Sequence, residues 1–316
     1  LLRLPAQTAP VGSAGGAARA DGADGAAAAW AAGSGGLMAL SSALEMPEIA
    51  EERKLEMGEQ AAMLSGLFVH ATPGQPAPPP WLVAGILGRI ATNALAVTDD
   101  ELQPIGLGMY PLAALANHAC DPTAAQTFDG AALELRALRP LAAGSAITLT
   151  YIDLAQSPAA RRAALRETYG FECACAGCAP KPSLSSAEAE TAEAEAAAAA
   201  AALERHTAAV LKAIDGGAWG EARDRAAAGC ALASRLYPPS SAALGLHLLR
   251  LAKLQAHTDQ LPAAVASWLR ALAILRTSHG DGARLVHELR RDLDGAQAEL
   301  HALHRAAAAD DDDDGE

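Results

Sequence analysis

Four of the five cysteines in this 316-residue chain are spaced as metal ligands. Cys173, Cys175 and Cys178 form CxCxxC within YGFECACAGC, and Cys120 lies about fifty residues upstream in NHACDP. Thiolates in that pattern suit a closed tetrahedral zinc site of sulfur alone, tying two distant segments together. Asn117 and His118 stand beside the first ligand. Between the two ligand groups runs ITLTYIDL, an apolar strand ending in Tyr151. Polar groups gathered around such a staple could hold a cofactor, and a tyrosine hydroxyl could orient a reacting group by electrostatic preorganisation. Each feature also has a plainer reading. Asn117-His118 fits a turn stabilised by asparagine with a core histidine, Tyr151 a packed strand end, and the cysteines unpaired structural thiols. Their joint occurrence favours the chemical reading. Cys230 stands apart and reads as a buried helical cysteine.

The elements that would position these groups are short. Thr123–Thr127 and Ala132–Ala137 read as strands separated by the turn FDG, and the turn AAGS at 142–145 precedes a strand Ile147–Tyr151. Short β units with turns between them predict a small β core. Ser157-Pro158 opens a helix with proline at its first position, running through Arg161 to Tyr169 and into the cysteine cluster. Upstream, residues 5–36 are rich in Gly, Ala and Ser and read as a flexible insertion. A helical pattern spans Ser42 to Phe68, stopped by ATPGQPAPPP, and Trp81 to Val97 reads as a buried helix. Residues 99–116 are punctuated by Gly and Pro. Beyond the Ala/Glu-rich stretch near 179–202, a strong helix former, everything reads as helical. Residues 221–238 and 263–280 resemble each other with Ala222 and Ala264 in register. That is a repeat of roughly forty residues, as in a helical-repeat array, with a plain helical bundle as the alternative. His206, His247, His257, His279, His287, His301 and His304 fall on these helices without ligand spacing.

Bulk composition excludes several classes. The net charge of −13 disfavours direct nucleic-acid binding and suits a basic protein or peptide partner better. Part of that charge is Asp310–Asp314, which reads as a solvated tail. No apolar run is long enough for a membrane span, and LLRLPAQTAP lacks the pattern of a signal peptide. Clustered cysteines point to a reducing compartment.

Together these motifs resemble the SET and MYND domain (SMYD) family of protein lysine methyltransferases. LGMYPLAALANHACDP and ITLTYIDLAQSPAARRAALRETYGFECACAGC carry the resemblance, and KLQAH and ILRTSHG extend it into the helical half. The resemblance implies an α+β chain: a SET-type β core with a post-SET zinc site, followed by an all-α TPR-like helical-repeat domain. It divides the chain into a partial SET insertion region with a disordered segment (1–80), the C-terminal part of the SET domain (81–155), the post-SET motif (156–180), the TPR-like domain (181–305) and an acidic disordered tail (306–316). It implies transfer of methyl from S-adenosyl-L-methionine to a lysine amine of a histone or non-histone protein. Asn93, Asn117, His118 and Phe171 would contact that cofactor. Tyr151 would be the catalytic tyrosine, with Tyr169 lining the lysine channel, and Cys120, Cys173, Cys175 and Cys178 would bind Zn2+. A monomer in the cytoplasm or nucleus is expected. Two family features are missing from the sequence, the Lys/Arg-Gly-x-Gly cofactor loop and the MYND zinc finger. The chain also begins without Met, so N-terminal truncation is the expected explanation. Ala119 replaces the usual serine. The alternative is a non-catalytic, zinc-stabilised scaffold that binds partners through its helices.

Overall fold

A computed structural model describes residues 2–4, 35–179 and 185–313. The expected insertion at 5–36 lies outside them except for its last two residues. The element order is β1 (Leu2–Leu4), a short helix α1 (Gly35–Met38), α2 (Glu51–Ala71), α3 (Pro80–Asn93), β2 (Ala94–Thr98), β3 (Pro104–Met109), β4 (Asn117–His118), β5 (Ala124–Asp129), β6 (Ala132–Ala137), β7 (Thr148–Leu149) and α4 (Pro158–Tyr169). Helices α5 (Ser186–Asp215), α6 (Trp219–Leu236), α7 (Ala242–His257), α8 (Leu261–His279) and α9 (Arg284–Asp313) complete it. The chain is thus α+β, with small sheets followed by a helical half.

The β5–β6 hairpin closes at Gly130, whose φ of 57° matches the expected FDG turn. β1 adds antiparallel to β6, giving the order β1-β6-β5. The two-residue strands β4 and β7 pair in parallel, Asn117 opposite Thr148 and His118 opposite Leu149. This pairing brings the Asn-His segment beside the strand that leads to Tyr151. The expected strand 147–151 is regular only over Thr148–Leu149. Behind these strands, Leu133 and Leu149 are almost fully buried with Tyr110 and Ala113, and Tyr151 packs against that cluster.

Two expectations for the first hundred residues need correction. The helix expected from Ser42 begins at Glu51. Residues 43–45 form a 3-10 turn capped by Ser42, and Met46, ahead of Pro47, is extended (φ −91°, ψ 119°). Proline disfavours helical geometry in the residue before it, so the pattern could not run through. The helix expected over Trp81–Val97 stops at Asn93, and Trp81 is 74% exposed. Residues 94–98 instead pair antiparallel with β3, and Leu95 and Val97 pack on the Tyr110 cluster. A short apolar run is ambiguous between helix and strand, and here pairing with the 104–109 segment decides it.

Helix α4 forms as expected. Ser157 caps it by accepting from the Ala160 N–H, and Pro158 occupies its first position. Gly170 ends it in the left-handed region (φ 68°), a conformation that suits glycine. The turn it makes sends the chain directly from Tyr169 into Phe171 and the cysteines. In the helical half, a capping box of Ser185 and Glu188 starts α5. Each helix from α5 to α9 packs on its neighbour in sequence. Ala222 and Ala264, aligned in the sequence repeat, are both fully buried. α9 continues to Asp313, past Arg305, where the helical domain was expected to end. Among the described residues no helix is long and apolar enough to cross a membrane.

Close approach of α7 and α8 requires a small residue at Gly245. A Cβ there would lie 2.8 and 2.9 Å from the side chain of Leu275, which is fully buried. Gly245→Ala gains helix propensity but overpacks this contact, a cost of about 1–3 kcal/mol. A lower urea midpoint with an unchanged slope is the expected result.

His279, at the end of α8, fastens the helical half to the loop before β3. Its Nε2–H donates to the Asp100 carbonyl at 3.0 Å, and its Nδ1 accepts from the Ser278 hydroxyl at 2.9 Å. Burial lowers its pKa, partly offset by Asp100, so the ring is neutral in the fold. An unfolded histidine takes a proton near pH 6.5. The folded ring resists protonation, so its contribution is complete above that pH and declines as pH falls towards the folded pKa. His279→Gln should flatten the dependence of unfolding free energy on pH below about 6.5.

Candidate active site and metal centre

The parallel β4–β7 pair, the turn at Gly170 and the end of α3 bring the candidate cofactor and catalytic side chains to one place. A cleft of about 420 Å3 is lined by Asn93, Asn117, His118, Tyr151, Tyr169 and Phe171, with Cys173 and Cys175 at its margin. The rings form a continuous wall. Tyr151 and Tyr169 have centroids 4.9 Å apart, Phe171 meets Tyr151 edge-on at 6.3 Å, and His118 lies 5.4 Å from Tyr151. Residues not foreseen from the sequence complete the lining: Ser41, Met46, Thr92, Ala114, Glu172 and Ala174. Thr92 and Glu172 come with their neighbours Asn93 and Phe171, whereas Ser41, Met46 and Ala114 reach the cleft only through long-range packing.

A second cleft of about 340 Å3 adjoins the first. Its lining includes Leu95, Leu107, Gln126 and Thr150, and it shares Thr92, Asn93, Ala114, Tyr151 and Tyr169 with the first. The two tyrosines therefore stand where the clefts meet. The Tyr151 hydroxyl donates to the Ala116 carbonyl at 2.5 Å, and the Tyr169 hydroxyl donates to the Tyr151 carbonyl at 3.2 Å. Burial raises the pKa of both, and their mutual interaction raises that of Tyr151 further. Both are neutral phenols at physiological pH.

His118 links the cleft to the cysteines. Its Nδ1 accepts the Tyr151 backbone N–H at 3.1 Å, which leaves the proton on Nε2, 3.3 Å from the Cys120 sulfur. Burial, aided by the charge of Arg161, lowers its pKa to about 4, so the ring stays neutral. Both ring nitrogens are used within the protein. The Asn93 amide nitrogen is likewise engaged, donating to the Ser41 and Arg89 carbonyls at 2.8 Å each. Its carbonyl oxygen is what it can offer a ligand. Asn117 is exposed at the mouth of the cleft.

Cys120, Cys173, Cys175 and Cys178 converge, with all four sulfurs within 4.8 Å of one another. Tetrahedral Zn–S bonds of about 2.3 Å place sulfurs roughly 3.8 Å apart, so the cluster fits such an ion. Cys120, Cys173 and Cys178 are buried and Cys175 is half-buried. Without metal, burial pushes the Cys173 thiol up to about 11 and the Cys120 thiol higher still. For Cys175, burial is outweighed by hydrogen bonds from the Cys120 backbone and the Cys173 thiol, which bring it down to about 7. Burial therefore favours neutral thiols at Cys120 and Cys173, and a cation that takes their protons' place is what would hold them as thiolates. Cys230 is buried on α6, as expected, away from the cluster. On the far side, the Tyr237 hydroxyl donates to the Asp153 carboxylate at 3.0 Å, joining the end of α6 to the turn after Tyr151.

No family model matches the chain. Among characterised proteins, histone-lysine N-methyltransferase SMYD3 of Mus musculus is 37% identical over 101 residues, covering 32% of this chain and 24% of that protein. Histone-lysine N-methyltransferase ASHR1 of Arabidopsis thaliana is 36% identical over 97 residues, 31% of this chain and 20% of its own length. N-lysine methyltransferase SMYD2-B of Danio rerio is 33% identical over 134 residues, 42% of this chain and 30% of its own length. The chain thus spans between a fifth and a third of the length of these relatives. The resemblance to SMYD lysine methyltransferases that the motifs carry is shared by these independent comparisons.

Proposed function

We propose, from the likeness to SMYD lysine methyltransferases, that this chain carries the catalytic cleft of an S-adenosylmethionine-dependent protein-lysine N-methyltransferase. The observation that carries this reading is the pair of clefts meeting at Tyr151 and Tyr169. A transfer between two bound molecules needs two compartments that share one wall, and the shared wall must orient the acceptor without competing for the transferred group. Neutral phenols satisfy that condition, because they are weak nucleophiles and good hydrogen-bond partners.

S-adenosylmethionine, when bound, supplies a methyl group on a positively charged sulfur. In the first cleft, Asn117 and the Asn93 carbonyl oxygen would receive its amino-acid end, and Phe171 would stack near its adenine. In the second, Tyr169 and the flanking apolar residues would guide a lysine side chain as far as Tyr151. The Tyr151 hydroxyl and the carbonyls around it would align the neutral amine. Held in line with that methyl group, the amine would be the acceptor, and the proton it sheds after transfer would leave to solvent. The four cysteines would hold Zn2+ in a purely structural role, fixing Tyr169 and Phe171. In this reading residues 81–155 belong to a SET-type core, 156–180 to a post-SET motif and 181–305 to a TPR-like domain beside the lysine cleft.

The test is transfer of a labelled methyl group from S-adenosylmethionine to core histones, followed by hydrolysis and amino-acid analysis. The reading expects label in N-methyl-lysine. Label confined to other residues would refute lysine specificity. No transfer to histones, or to an unfractionated pool of denatured proteins, would favour the scaffold.

A further inference from the structure

We propose that Arg161 is a positioning residue of the four-cysteine site, offsetting the charge its thiolates accumulate and thereby setting how tightly zinc is held. The inference rests on reading the four cysteines as a zinc site.

Arg161 lies near the start of α4 and is only 8% exposed. Positive charge is disfavoured at a helix N-terminus, and an arginine is rarely buried without a partner. Its guanidinium is fastened from three sides. Nη1 donates to the carbonyls of Gln156 at 2.6 Å and Leu154 at 3.4 Å, and Nη2 donates to the carbonyl of Gly177 at 3.0 Å. Gly177 immediately precedes a ligand, so the side chain grips the cysteine loop from behind. Nε is buried without a hydrogen-bond partner. The guanidinium lies against the cysteine cluster: a Cβ on Gly177 would sit 3.8 Å from Arg161 Nη2, 3.9 Å from the Cys175 sulfur and 4.0 Å from the Cys120 Cβ, and Arg161 lines one cleft with Cys120 and Cys175.

Four thiolates around Zn2+ carry a net charge of −2. Enclosing that charge is costly unless an opposite charge is enclosed with it. Arg161 halves it, and it cannot lose its own proton. Neighbouring Arg162 donates to the Cys178 carbonyl but is less buried. It has one such bond against the three of Arg161 and is not enclosed with the sulfurs, which makes it the natural control.

The test measures zinc affinity by competition with a chromophoric chelator, using wild type, Arg161→Met, Arg161→Lys and Arg162→Met, with circular dichroism on each. Loss of an outer-shell partner of a metal site typically weakens binding about 10–100-fold. Arg161→Met should show a loss of that size, while Arg162→Met stays within a few-fold of wild type. Arg161→Lys keeps the charge but cannot reproduce the three-sided grip, so recovery of most of the affinity would separate charge from scaffolding. If Arg161→Met fails to fold, the lysine variant alone decides. Lysine behaving like an uncharged residue, or Arg161→Met retaining wild-type affinity, overturns the proposal. Wild-type protein that does not hold zinc overturns the reading of the cysteines beneath it, a different and recognisable result.

Discussion

With zinc on the four cysteines as proposed, chelating it, or replacing Cys178 with serine, will dissolve the Phe171 side of the cleft while leaving α5–α9 folded. Residues 170–179 contain no helix or strand. Their buried side chains are almost all cysteines: Cys173 and Cys178, packed with Cys120, Leu154 and Leu165. Backbone hydrogen bonds in the stretch are few, chiefly Cys178 and Ala179 donating to the Cys175 carbonyl. Little apolar area is therefore available to order this segment. Structural zinc supplies an apparent free energy on the order of 10–16 kcal/mol in small sulfur sites, far more than any contact the loop makes otherwise. The helical half has its own core, including Leu248, Leu275 and Val286, and does not depend on the metal. Limited proteolysis followed by mass spectrometry should show new cleavage between 169 and 180 in chelated protein, with 186–305 still protected. Cleavage patterns identical with and without metal would show that the thiols alone order the loop.

Tyr151→Phe should lower methyl transfer by about 10²–10³-fold while cofactor affinity changes only a few-fold. The size is that of removing one preorganised polar group from a reacting centre. Phenylalanine preserves the ring contacts with His118, Tyr169 and Phe171, so the wall keeps its shape. What disappears is the hydroxyl and its hydrogen bond to the Ala116 carbonyl. That carbonyl is then unpaired, at a stability cost of about 1–3 kcal/mol, which a thermal melt separates from the kinetic effect. A small change in KM with a large fall in kcat is the expected signature. Transfer at the wild-type rate would remove Tyr151 from the chemistry.

How far the site could be read in advance depended on how local its determinants are. The cysteine ligands were legible because residue type and spacing are themselves the requirement, and the sulfurs do converge. The Ser157-Pro158 opening was equally local, so α4 formed where expected. β2 was not legible, since its register depends on β3, whose Pro- and Gly-containing sequence hides a strand. Helix α2 began late because Pro47 interrupts a pattern that hydrophobic spacing alone would continue. His118 was foreseen at the site, but its two hydrogen-bonding partners, one on each side, required the β4–β7 pairing to be seen. Arg161 passed for an ordinary helical residue. Its one signal was a cation near the wrong end of a helix, which marks a side chain recruited by something beyond that helix.

The most direct test of the account is an equilibrium calorimetric titration of S-adenosylmethionine into the zinc-loaded protein, paired with Asn117→Ala. The account predicts saturable binding of one molecule, weakened about tenfold or more in the variant and abolished by chelation of the metal. Binding that is indifferent to Asn117 and to zinc would place the cofactor somewhere other than this cleft, and an absence of binding to the folded, zinc-loaded protein would contradict the methyltransferase reading itself.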